Sequence, residues 1–455
     1  MLKPVLRAAS MRRRDFLQVG LLGLGGLGLA DLLRARAAAA ERATNRRDTS
    51  VVLLFLTGGA SHIEIFDPKM SAPAEYRSIT GATPTTLPGV AFGGTFPRLA
   101  RLAGQMAVVR SFTHETSDHT RAVQQVMRGN NTGQAGMGAI LARLRGPSHP
   151  TTGSPTHVYL SETEIDAQFD KERQRLLEAA GPGQLGGAYA PFPLGFNSPT
   201  SRDLHLNISR RRLEDRRAMR HAFDQIARAV DTSGSLETLD RFERQAYEVL
   251  VGRSRGAFDL AREDRRVVES YDTSRFRTGL KEYRGSSLGH QLLLARRLCE
   301  AGCGFITIHN PGWDMHGGTT QLDMRHGMEE LGRPVDHAVA AFLEDVHQRG
   351  LSDKILLVIT GEFGRTPRIN ASAGRDHWPQ LSTLALAGGG LRMGQVVGQS
   401  TARAEVPRAD PVTIENLLAT VMHVLLDDNA QRRLPLLPGA VAATVASARP
   451  IRQLI

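Results

Sequence analysis

Residues 51–59 read VVLLFLTGG: six apolar residues from Val51 to Leu56, then Thr57 and two glycines. An uninterrupted apolar run with β-branched residues at its start and glycines at its end suits a strand covered on both faces, as in a parallel sheet. Met106–Val109, Phe305–His309 and Ile355–Thr360 read the same way, and Leu381–Ala387, ending in Gly388-Gly389-Gly390, makes a fifth run. Between them lie helical patterns. Val335, Ala338, Val339, Phe342, Leu343 and Val346 fill one helical face, with Pro334 at its start and Gly350 just past its end. Ser287–Ala301 and Val412–Leu426 are two further helices. Strands alternating with helices of this length predict an α/β fold with a doubly wound, mostly parallel sheet.

Outward from this frame the composition changes twice. Residues 201–285 are dense in Arg, Asp and Glu, with helical spacing in Leu213–Ala229, Leu236–Val251 and Ala257–Ser270. This stretch reads as a helical insertion, an arm or a cap over the site, whose charges form a solvated face. At the other end, residues 1–40 carry Arg12-Arg13-Arg14, a short Gly/Leu-rich apolar run and Ala37–Ala40. A basic region, a short apolar region and small residues make an export signal, and the arginines followed by Asp15-Phe16-Leu17 resemble the twin-arginine type. An uncleaved N-terminal anchor is the alternative. Residues 41–50 form a polar linker, and 51–455 read as one domain that includes the insertion.

The 455 residues are 41% hydrophobic and 23% charged, too apolar for a disordered chain. Two cysteines, Cys299 and Cys303, exclude a disulfide scaffold and read as buried apolar residues. The formal charge of +11 falls to +6 without residues 1–40, which hold seven basic and two acidic residues. The excess is interspersed with acids and lacks aromatic interleaving, so no nucleic-acid partner is expected.

Ligands in open α/β sheets bind beyond the carboxyl ends of the strands, so polar residues just after each run are the candidates. They are His62 and Asp67 after the first run; His114, Ser117, His119 and Thr120 after the second; Asp314 and His316 after the third; Glu362, Arg365, Arg375 and His377 after the fourth. Imidazole with carboxylate suits Zn²⁺ or Mn²⁺, and carboxylate-rich sets suit Ca²⁺. His62, Asp67, His119, Asp314, His316, Glu362 and His377 are the expected ligands of a divalent cation. The structural alternatives are loop hydrogen bonds, turn capping by Asp67 ahead of Pro68, and a buried pair of Glu362 with Arg365 or Arg375.

The segments GGASHIEIFDPK, PRLARLAGQMAVVRS, PGWDMHGG, TGEFGRTPRIN, GRDHWP and LALAGGG resemble the twin-arginine-exported family of domain of unknown function 1501 over essentially the whole chain after residue 40. That family is similar to the alkaline-phosphatase-like superfamily of phosphatases and sulfatases. The resemblance implies that Asp314, His316 and His377 are metal ligands, and that His62 or Asp67 serves where the superfamily has an Asp after its first strand. Where the superfamily reads Ser/Thr-Asp-His-Gly, this chain reads Thr360-Gly-Glu362-Phe363-Gly364. Glu362 can replace the Asp; Phe363 cannot replace the His. The Cys/Ser-x-Pro-x-Arg motif of formylglycine sulfatases is absent. Ser117 and Thr120 are the candidate hydroxyl nucleophiles, with N-capping as their alternative role. Arg365 and Arg375 are expected to hold the oxygens of a small anionic ester. The expected function is an exported metal-dependent hydrolase of phosphate or sulfate esters; the alternative is a non-catalytic binding or assembly protein on the same fold.

Overall fold

The run at 51–56 forms the centre of the sheet. Strand β1 (Ser50–Leu56) is buried along its whole length, because β5 (Phe305–Asn310) and β6 (Ile355–Thr360) pair with it in parallel on either side, at Val51↔Phe305 and Val51↔Leu356. Its side chains alternate between two cores: Val51, Leu53 and Phe55 face one, and Val52, Leu54 and Leu56 the other. The computed structural model describes residues 48–162, 169–196, 208–209, 211–216, 218–219, 243, 246–249, 251–278, 284–319, 321–427 and 431–455. The export signal read at 1–40 and most of the linker lie outside the described residues. Residues 48–455 make one compact unit.

Five more strands complete the sheet: β2 (Ala107–Val109), β3 (His157–Glu162), β4 (Phe192–Phe196), β7 (Leu384–Gly388) and β8 (Gln395–Val397). Their order is β8-β2-β7-β6-β1-β5-β3-β4. The sheet is α/β and mostly parallel. Only β7 runs against its neighbours β6 and β2. The reason is the connection: parallel strands need a crossover, but residues 361–383 contain no helix, so β7 starts at the rim where β6 ends.

Helices α1 (His119–Arg128), α2 (Met137–Arg145), α3 (Asp170–Ala179) and α6 (Ile414–Leu425) cover one face. Helices α4 (Leu288–Glu300) and α5 (Arg333–Gln348) cover the other. Pro334 lies in the first turn of α5, and the chain is already helical ahead of it. The run starts at Met324, capped by Asp323, and passes through a π turn at Met328–Gly332. The wider turn accommodates the proline ring that a regular helix would exclude.

Of the charged insertion, the described part includes a helix at Arg265–Tyr271. It docks on α4 and α5 through Glu263, which meets Arg296 at 2.6 Å, Arg297 at 2.7 Å and Arg349 at 3.1 Å. Residues 220–242, which hold much of the expected helical spacing, lie outside the described residues. Among the described residues no helix is long and apolar enough to cross a membrane.

Candidate metal centre

The loops after β1, β2, β5 and β6 meet at one rim, and Asp314 lies at their junction. Its Oδ1 is 2.9 Å from His316 Nε2 and 3.1 Å from His377 Nε2, and its Oδ2 is 3.6 Å from His119 Nε2. The Nε2 atoms of His316 and His377 stand 2.9 Å apart. His119, Asp314 and His377 each offer a ligand atom within 4.8 Å of one another.

The other ring nitrogen of each imidazole faces an oxygen. His119 Nδ1 is 2.9 Å from Glu362 Oε1, His316 Nδ1 is 3.0 Å from Asp376 Oδ1, and His377 Nδ1 is 3.0 Å from the Ser117 carbonyl. An Nδ1–H that donates to oxygen leaves the Nε2 lone pair facing inward, as in metal-bound histidines. Three such lone pairs turned on one carboxylate repel, and either protons on the Nε2 atoms or a cation among them relieves the repulsion. A second sign is Glu362 Oε2, a buried carboxylate oxygen with no partner. The residues fit a divalent cation.

Local structure builds this group. Gly58 has φ +108°, and a Cβ there would lie 2.4 Å from the Asp314 nitrogen, so only glycine lets the β1 end and the Asp314 loop approach this closely. The Gly58 N–H donates to Glu362 Oε1 at 2.7 Å. Trp313, fully buried, anchors the loop by donating to Asn310 Oδ1 at 2.8 Å. A two-residue antiparallel bridge, Gly364–Arg365 with His377–Trp378, returns His377 to the rim. Asp118 caps α1, which fixes His119 as its first residue.

The electrostatics favour positive charge at this point. Burial opposes a charge on His119, but hydrogen bonds to Asp314 and Glu362 outweigh it and raise its pKa to about 9. The Asp314 carboxyl is held far below the usual carboxylate range: burial opposes this, and the three imidazoles and Arg365 overcome it. Asp314, and then Asp376, raise His316 against its burial.

His119, Asp314, His316 and His377 therefore come together, and Glu362 reaches the group through His119 Nδ1. His62 and Asp67 do not join it. His62 is buried with Nε2 3.1 Å from the Ala404 carbonyl, and burial lowers its pKa to about 4. Asp67 binds Lys69 at 3.1 Å, Arg110 at 3.4 Å and the Ser400 hydroxyl. The two arginines expected to hold an anion are committed elsewhere. Arg365, fully buried, binds Asp314 and the carbonyls of Gly58, Gly59 and Arg375, with Nη1 3.2 Å from His316 Nε2. Arg375, also fully buried, pairs with Glu64 at 3.0 Å and donates to the carbonyls of Thr366, Pro367, Tyr76 and Arg77. Neither Ser117 nor Thr120 caps α1; both are exposed, and Ser117 touches the group through its carbonyl.

Three residues at the site have no place in the sequence reading. The Thr57 hydroxyl lies 2.8 Å from Glu172 Oε2 and 2.9 Å from His309 Nε2. Burial, with repulsion from Glu362 and Asp314, raises the Glu172 pKa to about 7 against its hydrogen bonds from Thr57 and the Gly312 N–H. Asp376 orients His316. Thr57 ends the first apolar run, so the strand-end rule could have found it; Glu172 sits in a charged helix without a signal.

Solved structures similar to this chain include Ps i-CgsB, crystallised with k-i-k-neocarrahexaose (9% identity, 89% of this chain and 77% of that one, TM-score 0.38). Others are the PsFucS1 sulfatase from Pseudoalteromonas sp. (10% identity, 90% and 75%, TM-score 0.36) and the phosphonate monoester hydrolase SpPMH from Silicibacter pomeroyi (12% identity, 89% and 76%, TM-score 0.31). No curated protein matches the sequence. The pattern of one family runs through residues 48–455, and the chain belongs to that family, described as Protein of unknown function (DUF1501).

Proposed function

We propose that this protein is an exported, metal-dependent hydrolase of phosphate or sulfate esters. The observation that carries the reading is the inward set of three imidazole Nε2 atoms around Asp314, each ring oriented by an oxygen on its Nδ1. The donor set favours Zn²⁺ or Mn²⁺ over Ca²⁺, because imidazole nitrogens are poor partners for the harder ion. A bound cation of this kind acts as a Lewis acid on an ester oxygen and lowers the pKa of a water or hydroxyl.

The chain's own residues position and neutralise. His119, Asp314, His316 and His377 hold the cation. Arg365 fixes Asp314, and Glu362 and Asp376 fix two of the rings. Ser117, adjacent to His377 through its carbonyl, is the better placed of the two hydroxyl candidates; Thr120 is the other. Glu172, raised toward neutrality, holds or releases a proton at the Thr57 hydroxyl. Residues 1–40 serve as the signal read by the twin-arginine machinery, and 51–455 as one domain with its insertion at 201–285.

A second reading, a binding or assembly protein without chemistry, has its own support. Phe363 packs its ring against His119 and His377, with centroids 4.9 and 4.5 Å away, and Arg365 and Arg375 have their donors engaged. Elemental analysis of the purified protein, followed by a screen of aryl phosphate and aryl sulfate esters with added Zn²⁺, Mn²⁺ and Ca²⁺, separates the two. Bound metal with hydrolysis that chelation abolishes is expected. Metal-loaded protein that cleaves neither ester class favours the second reading, and folded protein that binds no metal defeats the hydrolase.

A further inference from the structure

A second polar cavity lies on the other face of the helical run that follows the Asp314 loop. It has a volume of about 410 Å³ and is lined by Arg98, Arg275, Arg325, Arg333, Thr95 and His337, among others. Two carboxylates also face it, and both are engaged. Asp336 accepts the backbone N–H groups of Arg98 and Leu99 at 3.1 and 2.8 Å, and Glu329 pairs with Arg333 at 3.3 Å. Arg98 pairs with Glu344 at 3.0 Å. Arg275 and Arg325 are different. Arg275 lies 4.9 Å over the Phe276 ring and reaches His337 Nδ1 at 3.1 Å, and Arg325 donates to the Ile79 carbonyl at 3.0 Å. Among the described residues neither is in a salt bridge with a carboxylate, although Asp272 attracts Arg275 through space.

One buried hydroxyl here lacks a partner, and two arginines share one ring nitrogen. His337 Nδ1 takes hydrogen bonds from both Arg98 Nη1, at 2.7 Å, and Arg275 Nη2. Its lone pair is thus on Nδ1 and its proton on Nε2, which the Ser270 backbone carbonyl accepts. Thr95 is nine-tenths buried, and its hydroxyl has no hydrogen-bond partner among the described residues. Like-charged guanidinium groups drawn to one neutral ring repel each other, and unmade buried hydrogen bonds are costly. A multivalent oxyanion would relieve the repulsion and give the Thr95 hydroxyl an acceptor, since guanidinium groups match its oxygens in charge and shape.

We propose that this cavity binds a small organic ligand through a phosphate or sulfate group. The volume is in the range of small-molecule sites, more than a bare inorganic anion needs. The site is separate from the metal centre, and none of its lining residues belongs to that group.

The test is calorimetric titration of the protein, held in chelator so that the metal centre is empty, with phenyl phosphate and with phenyl sulfate. The comparison protein is R275Q/R325Q; both residues are exposed, and their loss leaves no buried charge unpaired. Saturable binding of either ester, weakened about tenfold or more in the double variant as two charge-assisted contacts are lost and unchanged in H377A, supports the proposal. The ester bound more tightly names the group. A second variant, T95V, weakens binding without changing charge, which separates a built site from a general basic surface. Binding of neither ester, or affinity equal in wild type and in both folded variants, overturns the proposal.

Discussion

Replacing His377 with alanine isolates the metal question from the stability of the fold. His377 Nε2 lies 3.1 Å from Asp314 and 2.9 Å from His316 Nε2, and its side chain is one-quarter exposed. Its loss removes one candidate ligand without leaving a buried charge unpaired, because Arg365 still neutralises Asp314. In the metal-free protein the variant loses the bond to the Ser117 carbonyl and ring contacts with His119 and Phe363, about 1–2 kcal/mol. Its effect on the metal is larger. Losing a group that only orients a ligand costs roughly 10- to 100-fold in affinity, so losing the ligand itself should cost at least about 100-fold. At metal concentrations about 1,000 times the wild-type Kd, binding stabilises wild type by ~4.1 kcal/mol and the variant by only ~1.4 kcal/mol. Competition with a chromogenic chelator gives the affinities, and urea unfolding with and without Zn²⁺ or Mn²⁺ gives the stabilities. If H377A takes up metal as tightly as wild type and gains the same stability from it, the imidazole group is not a metal centre.

Four further substitutions test the same site and the packing around it. Asp376→Asn should weaken metal binding by about 10- to 100-fold while the stoichiometry at saturation stays at the wild-type value; an unchanged Kd in the same chelator competition contradicts the orienting role given to Asp376. Glu172 has its pKa raised from 4.5 to about 7, so the stability tied to its proton is complete below pH 4.5 and lost as pH rises through 7, roughly 3 kcal/mol at ~1.4 kcal/mol per pKa unit. In metal-free protein E172Q should flatten the stability profile between those pH values and exceed wild type at pH 8, and a profile parallel to wild type in urea titrations refutes this. Glu263→Gln leaves Arg296, 1% exposed, with only Asp345 and Glu300, and should cost about 2–4 kcal/mol, somewhat less than removal of a sole partner; a urea midpoint within error of wild type would count against the network. Gly58→Ala drives a methyl group into the Asp314 backbone and strains a φ of +108°, so it should lower both the unfolding midpoint and the metal stoichiometry, and wild-type metal content in a folded G58A would show that the close approach is unnecessary.

The sequence made the middle of the sheet legible and its edges obscure. β1, β5 and β6 are buried on both faces, so their runs are mostly apolar and easily seen. β3 is equally buried, but His157 and Ser161 leave it a short apolar run; β4 contains Pro193 and Gly195, and β8 is three residues long. The direction of β7 depends on a missing crossover helix rather than on its own residues. At the site, Asp314, His316, His119 and His377 follow from the rule that side chains just beyond strand ends converge. His62 and Asp67 satisfy the same rule yet lie elsewhere, because Gly58 and Gly59 turn the chain into a short helix at His62–Ile65 whose residues are all buried. Arg365 and Arg375 are the type suited to anion binding, but burial obliges each guanidinium to find partners within the fold. Exposure, which no spacing reveals, decides between those roles.

The charges at the rim bear on how a metal would be held. Asp314, Glu362 and Asp376 contribute three negative charges and Arg365 one positive, which leaves an excess of two negative charges when the imidazoles are neutral. Without a metal, the proton that His119 retains up to about pH 9 offsets one of them, and Asp314 and Asp376 favour a proton on His316 as well. A divalent cation would displace such protons, since a ligating imidazole must be neutral, and would balance the two charges. The same carboxylates that raise the His119 pKa thus favour the cation, which would turn a negative rim into a neutral one that no longer repels an ester anion. Arg365 sets that balance without touching substrate: Arg365→Gln would leave the loaded group with one negative charge, the cation held more tightly and the anion less. Its burial and full set of hydrogen bonds, which disqualify it as a clamp, suit it to act as a fixed charge.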